Sequence, residues 1–136
     1  SHVNGRPKVN CVEAGKRPRS SMSPTIVTSK DGKLLMLIGS PGGSSIIGYV
    51  AKTLVAALDW NLTMEEAIAL PNFLNKNRKT ELEKGTNLET IAPKLIELGH
   101  QVRIRKKVSG LHGIRVRAGG FEGGADPRRE GQAIGD

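Results

Sequence analysis

The spacing of apolar and polar residues changes several times along the chain, and each change marks an element. Residues 1–19 show no periodicity and carry Gly5, Pro7, Gly15 and Pro18, so they read as a flexible arm ahead of one domain spanning 20–136. Between Ser20 and Thr28 the chain is extended, since Pro24 excludes a helix and Thr25, Ile26 and Val27 favour a strand. Lys30-Asp31-Gly32-Lys33 reads as a hairpin turn, and the returning strand covers 33–39. Its unbroken Leu34-Leu35-Met36-Leu37-Ile38 run predicts burial on both faces, as in a central strand under helices.

The period then lengthens to that of a helix, from about Ser44 to Leu58. Ile47, Val50, Ala51, Leu54 and Leu58 form its stripe, widened by Ile46, Val55 and Ala57. Thr63 with Glu66 is a capping box opening a second helix that Pro71 ends. Residues 73–85 read as irregular and charged, with a short strand near 81–84. A third helix covers about 90–98, with Pro93 in its first turn, Ile91, Leu95 and Leu98 inward, and Gly99 as the stop. Alternation returns at 101–108 and 114–116, which predicts a hairpin with Arg103, Arg105, Arg115 and Arg117 on its outer face. The glycine-rich tail turns at Asp126-Pro127-Arg128, where an Asp126–Arg128 ion pair is expected. The fold class is α+β, with antiparallel strands and about three helices.

The strand that ends at Ile38 breaks at Gly39-Ser40-Pro41-Gly42-Gly43-Ser44 before the first long helix. Strand, glycine turn and helix start aim bare backbone N–H groups at one place, where an anion or oxyanion is welcome. Glycine–proline clusters in such positions are also ordinary turns, and the spacing matches neither a dinucleotide fingerprint nor a phosphate-binding loop with Gly-Lys-Ser/Thr.

Composition narrows the classes. Aromatic residues make up 3% of the chain, so the core is aliphatic. No apolar run approaches the roughly 18–20 residues of a membrane helix, and no secretory signal opens the chain. Cys11 is the one cysteine, which rules out an internal disulfide, and the three histidines lie far apart, so no metal is expected. The net charge is +8, spread as 8 basic against 5 acidic residues in 1–68 and 13 against 8 in 69–136. Such basicity suits nucleic acid, yet the aromatic platforms of single-strand binders are missing, and anionic small substrates or an acidic partner chain fit equally well.

The strings KRPRSSMSPTIV, DGK and GSPGGSSII, followed in order by MEEAIALPNF, ELEKG, LIELGHQV and GGADPRREGQA, resemble the small subunit of the γ-glutamyltransferase (γ-glutamyltranspeptidase) family. The resemblance covers residues 16–133 and implies the C-terminal part of that subunit, within the αββα sandwich of the N-terminal-nucleophile hydrolases. It implies that Ser20 and Ser21 hold the donor's α-carboxylate, and that Gly42 and Gly43 supply oxyanion-hole N–H groups. Hydroxyls and backbone amides suit those roles. The serines' bland alternative is local backbone capping. The family's nucleophile, the threonine that begins its small subunit, has no counterpart here. Ser1 is a poor substitute because Ser1-His2 reads as a tag remnant.

The chain alone is therefore expected to be inactive, needing the remainder of the small subunit, the large subunit, and glutathione or another γ-glutamyl compound. No cofactor is implied, and a bacterial member would be periplasmic or secreted. Self-association is expected of the isolated chain. Where many members read Gly-Ser-Arg after the glycine pair, this chain reads Ser44-Ser45, and the acceptor-side segment at 71–81 lacks the His-rich, Trp-containing text of bacterial members. The alternative reading is a small basic binding module for nucleic acid or an anionic partner.

Overall fold

The computed structural model describes residues 10–135, together with the backbone of His2–Val3 and Arg6–Pro7. Ser1 lies outside the described residues. Within the stretch read as an arm, β1 (His2–Val3) and β2 (Arg6–Pro7) pair antiparallel, and no helix or strand occurs from 10 to 24.

The predicted hairpin is present as β3 (Thr25–Thr28) and β4 (Leu34–Gly39), with Thr25 opposite Ile38 and Ile26 opposite Leu37. Its turn closes through the Ser29 N–H on the Lys33 carbonyl at 2.9 Å and the Gly32 N–H on the Ser29 carbonyl at 3.0 Å. The other face of the Leu34–Ile38 run departs from expectation. Met36 and Ile38 are buried, whereas Leu35 and Leu37 remain 37% and 38% exposed, because helices cover one side of the sheet only.

Three helices follow the two hairpin strands or lie between later ones: α1 (Ile46–Leu58), α2 (Met64–Ala69) and α3 (Ala92–Glu97). The buried side of α1 is Ile46, Tyr49, Val50, Lys52, Thr53, Ala56 and Ala57, while Ile47, Ala51, Val55 and Leu58 face outward. The predicted stripe was thus rotated by about one residue. The capping box of α2 is present, with Glu66 N–H donating to Thr63 Oγ1 at 3.2 Å and Thr63 N–H donating to Glu66 Oε2 at 2.9 Å. Pro93 stands in the first turn of α3 and Gly99, at φ +87°, follows its end. Leu95 is half-buried as expected, but Ile91 and Leu98 are exposed and Ala92 is the residue α3 buries.

Strands β8 (His112–Arg117) and β9 (Gly120–Ala125) complete a sheet of order β3-β4-β8-β9, antiparallel throughout. The glycine-rich tail thus holds an unpredicted strand. Its glycines fit because α2 lies directly on it: a Cβ at Gly124 would stand 2.8 Å from the Met64 backbone. A second sheet joins β5 (Phe73–Asn75), β6 (Thr80–Glu83) and β7 (Val102–Arg105), with β6 and β7 parallel. The stretch at 73–85 is therefore a hairpin rather than mostly irregular. The hairpin expected between 101–108 and 114–116 does not form. Its halves belong to different sheets, and the link between them is pinned by Lys107, Ser109 and Leu111, all buried. The core packs Met36, Ile38, Ile46, Tyr49, Val50, Ala56, Met64, Ala67, Ile68 and Leu111 between the first sheet and α1 and α2. No helix among the described residues is long and apolar enough to cross a membrane.

Candidate active site

Strand β4 delivers the backbone to Gly39, and the chain then turns through Ser40, Pro41, Gly42 and Gly43 into a short 3-10 turn that runs on as α1. Gly42 sits at φ +138° and Gly43 at φ +56°, conformations that side chains oppose. The first turn bonds run from Ser45 N–H to the Gly42 carbonyl at 3.1 Å and from Ile46 N–H to the Gly43 carbonyl. Among the described residues, the N–H groups of Gly42 and Gly43 have no acceptor. A Cβ at Gly42 would stand 2.8 Å from the Tyr49 ring, whereas one at Gly43 meets nothing within 4 Å. The turn is therefore backed by an aromatic ring at Gly42 and open at Gly43. Its rear is held by Gly110, whose N–H donates to Ser40 Oγ at 3.3 Å.

Ser20 is exposed and Ser21 half-buried, in the extended segment leading into β3. Because Thr25 pairs with Ile38, the chain before Thr25 leaves the hairpin at the end where β4 runs into the glycine turn. The segment that carries the serines and the strand that carries the glycine turn therefore meet at one end of the sheet, through Thr25 and Ile38. The Ser20 hydroxyl accepts the Met22 N–H at 3.1 Å, a local contact of the bland kind.

Behind the turn lies a polar cluster that sequence reading largely missed. The Asp126–Arg128 pair is present at 3.1 Å, but Arg128 also grips Glu83 with two nitrogens, at 2.5 and 3.0 Å, and reaches the carbonyls of Ala69 and Leu70. Asp126 accepts the N–H groups of Leu111 and Arg128, both at 3.0 Å. Burial works to raise the Asp126 pKa, yet the Ser109 hydroxyl, those two N–H groups and the guanidinium together hold it below the usual aspartate value. Lys52 donates to the carbonyls of Ile68 and Leu70 at 3.3 and 2.8 Å. Burial first, and the Arg128 charge second, bring its pKa down to about 8. Burial likewise pushes the Tyr49 hydroxyl up. Asn72 bridges the cluster, donating to Ser109 Oγ at 2.9 Å while its backbone N–H donates to Glu83 at 2.6 Å. The only legible trace was Asp126-Pro127-Arg128, because the other members come from distant elements.

The predicted arginine face is dispersed. Arg103 and Arg105 belong to β7, Arg115 turns inward to the Ala57 carbonyl at 2.9 Å, and Arg117 pairs with Glu122 at 2.5 Å. A continuous basic surface for nucleic acid is not assembled from these four.

A family model described as Gamma-glutamyltranspeptidase matches residues 2–136. The chain is 42% identical over 123 residues to a glutathione hydrolase proenzyme of Escherichia coli, a match covering 88% of this chain and 21% of that protein. It superposes on a Helicobacter pylori gamma-glutamyltranspeptidase mutant with TM-score 0.80 and 33% identity, covering 90% of this chain and 69% of the other. On the Pseudomonas nitroreducens gamma-glutamyltranspeptidase complexed with L-DON the TM-score is 0.83 at 29% identity, covering 95% and 69%. The chain thus spans about a fifth of the length of the curated relatives it matches. Its sheets and helices form part of an N-terminal-nucleophile hydrolase fold. With the motif strings, the length of the match and the fold in agreement, this chain belongs to the gamma-glutamyltranspeptidase family.

Proposed function

We propose that this chain supplies the oxyanion hole and part of the donor-carboxylate site of a γ-glutamyl hydrolase or transferase acting on glutathione or a similar γ-glutamyl compound. The observation that carries this reading is the pair of N–H groups at Gly42 and Gly43, without acceptors among the described residues, in a turn that is open at Gly43. When a nucleophile attacks the γ-amide carbonyl, charge gathers on its oxygen, and two preorganised amides there lower the barrier. The donor's α-carboxylate is held by Ser20 and Ser21 through their O–H groups; Ser20 Oγ accepts the Met22 N–H, which leaves its own proton to donate. The attacking hydroxyl comes from the length of the relatives that this chain does not span, as do the remaining small-subunit and large-subunit contacts.

Gly43→Ala in the complete, processed enzyme is the test. Its methyl meets no protein atom, so the variant folds, but it occupies the open space and strains φ +56°. The expected result is a kcat lowered on the order of 10²-fold with KM nearly kept. The Ser20→Ala, Ser21→Ala pair should instead raise KM and spare kcat, because carboxylate binding is common to ground and transition states. A folded Gly43→Ala enzyme with full kcat would falsify the assignment. Gly42 is the poorer probe, since any side chain there meets the Tyr49 ring.

A further inference from the structure

We propose that Lys76 is a specificity-determining residue that binds a carboxylate on the leaving-group and acceptor side of the scissile amide. The proposal rests on the function argued above, whose glycine turn Lys76 adjoins. Its position is enforced by packing. Leu74 of β5 is buried against α1, so close to Gly48 that a Cβ there would stand 1.9 Å from Leu74 Cδ1. Side chains two apart on a strand share a face, so the chain leaving β5 carries Lys76 toward the start of α1. Lys76 Nζ accordingly donates to Ser44 Oγ at 2.9 Å, one residue beyond Gly43.

The charge there has no structural use. A cation beside a helix N-terminus opposes the helix dipole, and neither the 3-10 turn nor the first turn of α1 contains an acidic residue to offset it. Lys76 also lines a cleft of about 800 Å³ with Arg78, Lys79, His100 and Arg103. Glu81 is the carboxylate of that cleft, and it is already bound to Arg105 at 3.2 Å and to Lys107. Among the described residues, Lys76, Arg78, Lys79 and Arg103 make no ion pair. Of these cations, Lys76 is the one bonded to Ser44, next to the glycine turn, and the other three share its cleft. In γ-glutamyl transfer the departing amine leaves, and the acceptor amine arrives, on the same side of the acyl group. A carboxylate carried by either, such as the C-terminal carboxylate of a short peptide, meets the same lysine.

The experiment compares two donors that differ by one carboxylate, γ-glutamyl-4-nitroanilide and γ-glutamyl-3-carboxy-4-nitroanilide, in the complete processed enzyme. Lys76→Gln should raise KM for the carboxylated anilide about five- to tenfold, leave the neutral anilide within about twofold, and spare kcat for both. Lys76→Arg should restore most of the preference, and added salt should erode it in the wild type but not in Lys76→Gln. Thermal melts confirm folding. Equal KM changes for both anilides, or none, overturn the role of Lys76 and leave the proposed function standing. Release of nitroaniline from neither donor by the wild type overturns both.

Discussion

Asp126 shows how much one residue carries here. It is 1% exposed, yet it anchors Leu111 and Arg128 and so ties the segment before β8 to the turn after β9. Asp126→Asn keeps the size but removes the charge that Arg128 faces and presents an N–H₂ to other donors. Breaking such a buried pair is expected to cost about 3 kcal/mol. The pH dependence follows from the lowered native pKa. The unfolded carboxyl takes up its proton near 3.8, before the native one does, so the contribution is complete above that value. It is lost as pH falls through the depressed native pKa. Urea melts at pH 7 should separate wild type from Asp126→Asn, and the gap should close below about pH 3.8. A gap that persists unchanged in acid would show that the carboxylate's charge is not what matters. At this scale the glycine turn was legible from residue type and order alone. The cluster was not, because Lys52, Asn72, Glu83 and Ser109 look in sequence like ordinary surface residues, and only the fold brings them to Arg128.

Among elements, α1 shows why a helix can be read correctly and its phase misread. The apolar side chains alone define one stripe, but two of the buried positions are Lys52 and Thr53. Thr53 satisfies itself on the Tyr49 carbonyl at 3.0 Å, and Lys52 on the carbonyls at the end of α2. Polar residues with such partners are tolerated in a core, and these two shift the buried arc away from Ile47 and Leu58. Strands β7 and β8 are both present but do not pair with each other. Alternation identifies a strand, but it does not name the partner, and β7 pairs with β6 across α3 instead of with its neighbour. The hairpin turn and the capping box, whose signals are local, were legible.

Lys52 also gives α1 a pH signature. Arg128, Asp126 and Glu83 all face it; the first lowers its pKa and the other two raise it, with burial dominant and a result of about 8. Between about 8 and the ordinary value of 10.5 the unfolded chain holds a proton that the folded one has shed. Stability contributed at this site therefore rises with pH across that window. Lys52→Met lacks the rise, while Arg128 still serves the Ile68 and Leu70 carbonyls. The difference in Tm, wild type minus Lys52→Met, should become more positive from pH 7 to pH 10. A constant difference would mean that Lys52 titrates as if exposed.

At the scale of the whole molecule, the dominant feature is a sheet with one bare face. Helices α1 and α2 cover one side of β3-β4-β8-β9, and the other presents Ile26, Leu37, Ile114 and Phe121 at 68, 38, 46 and 78% exposure. Residues 132–135 skirt this face, and a Cβ at Gly123 would stand 3.0 Å from the Ala133 Cβ, but they leave most of it open. In an αββα sandwich this side of the sheet meets a second sheet, which explains how a run as apolar as Leu34–Ile38 coexists with exposed leucines. Contiguous apolar surface of this kind drives association in water, and β3 and β9, the edge strands of this sheet, have no outer partner among the described residues. The +8 charge opposes contact between copies at low ionic strength. The chain by itself is therefore expected to self-associate, more strongly as salt screens that repulsion. Sedimentation velocity across a salt series should show the weight-average mass rising with concentration. Phe121→Lys places a charge on the most exposed of the four apolar positions, where no core contact is lost, and should shift the chain toward monomer without lowering its Tm. In the complete enzyme the same substitution should lower Tm if a second sheet covers this face. A wild-type chain that stays monomeric at high concentration and high salt would show that this face is not adhesive.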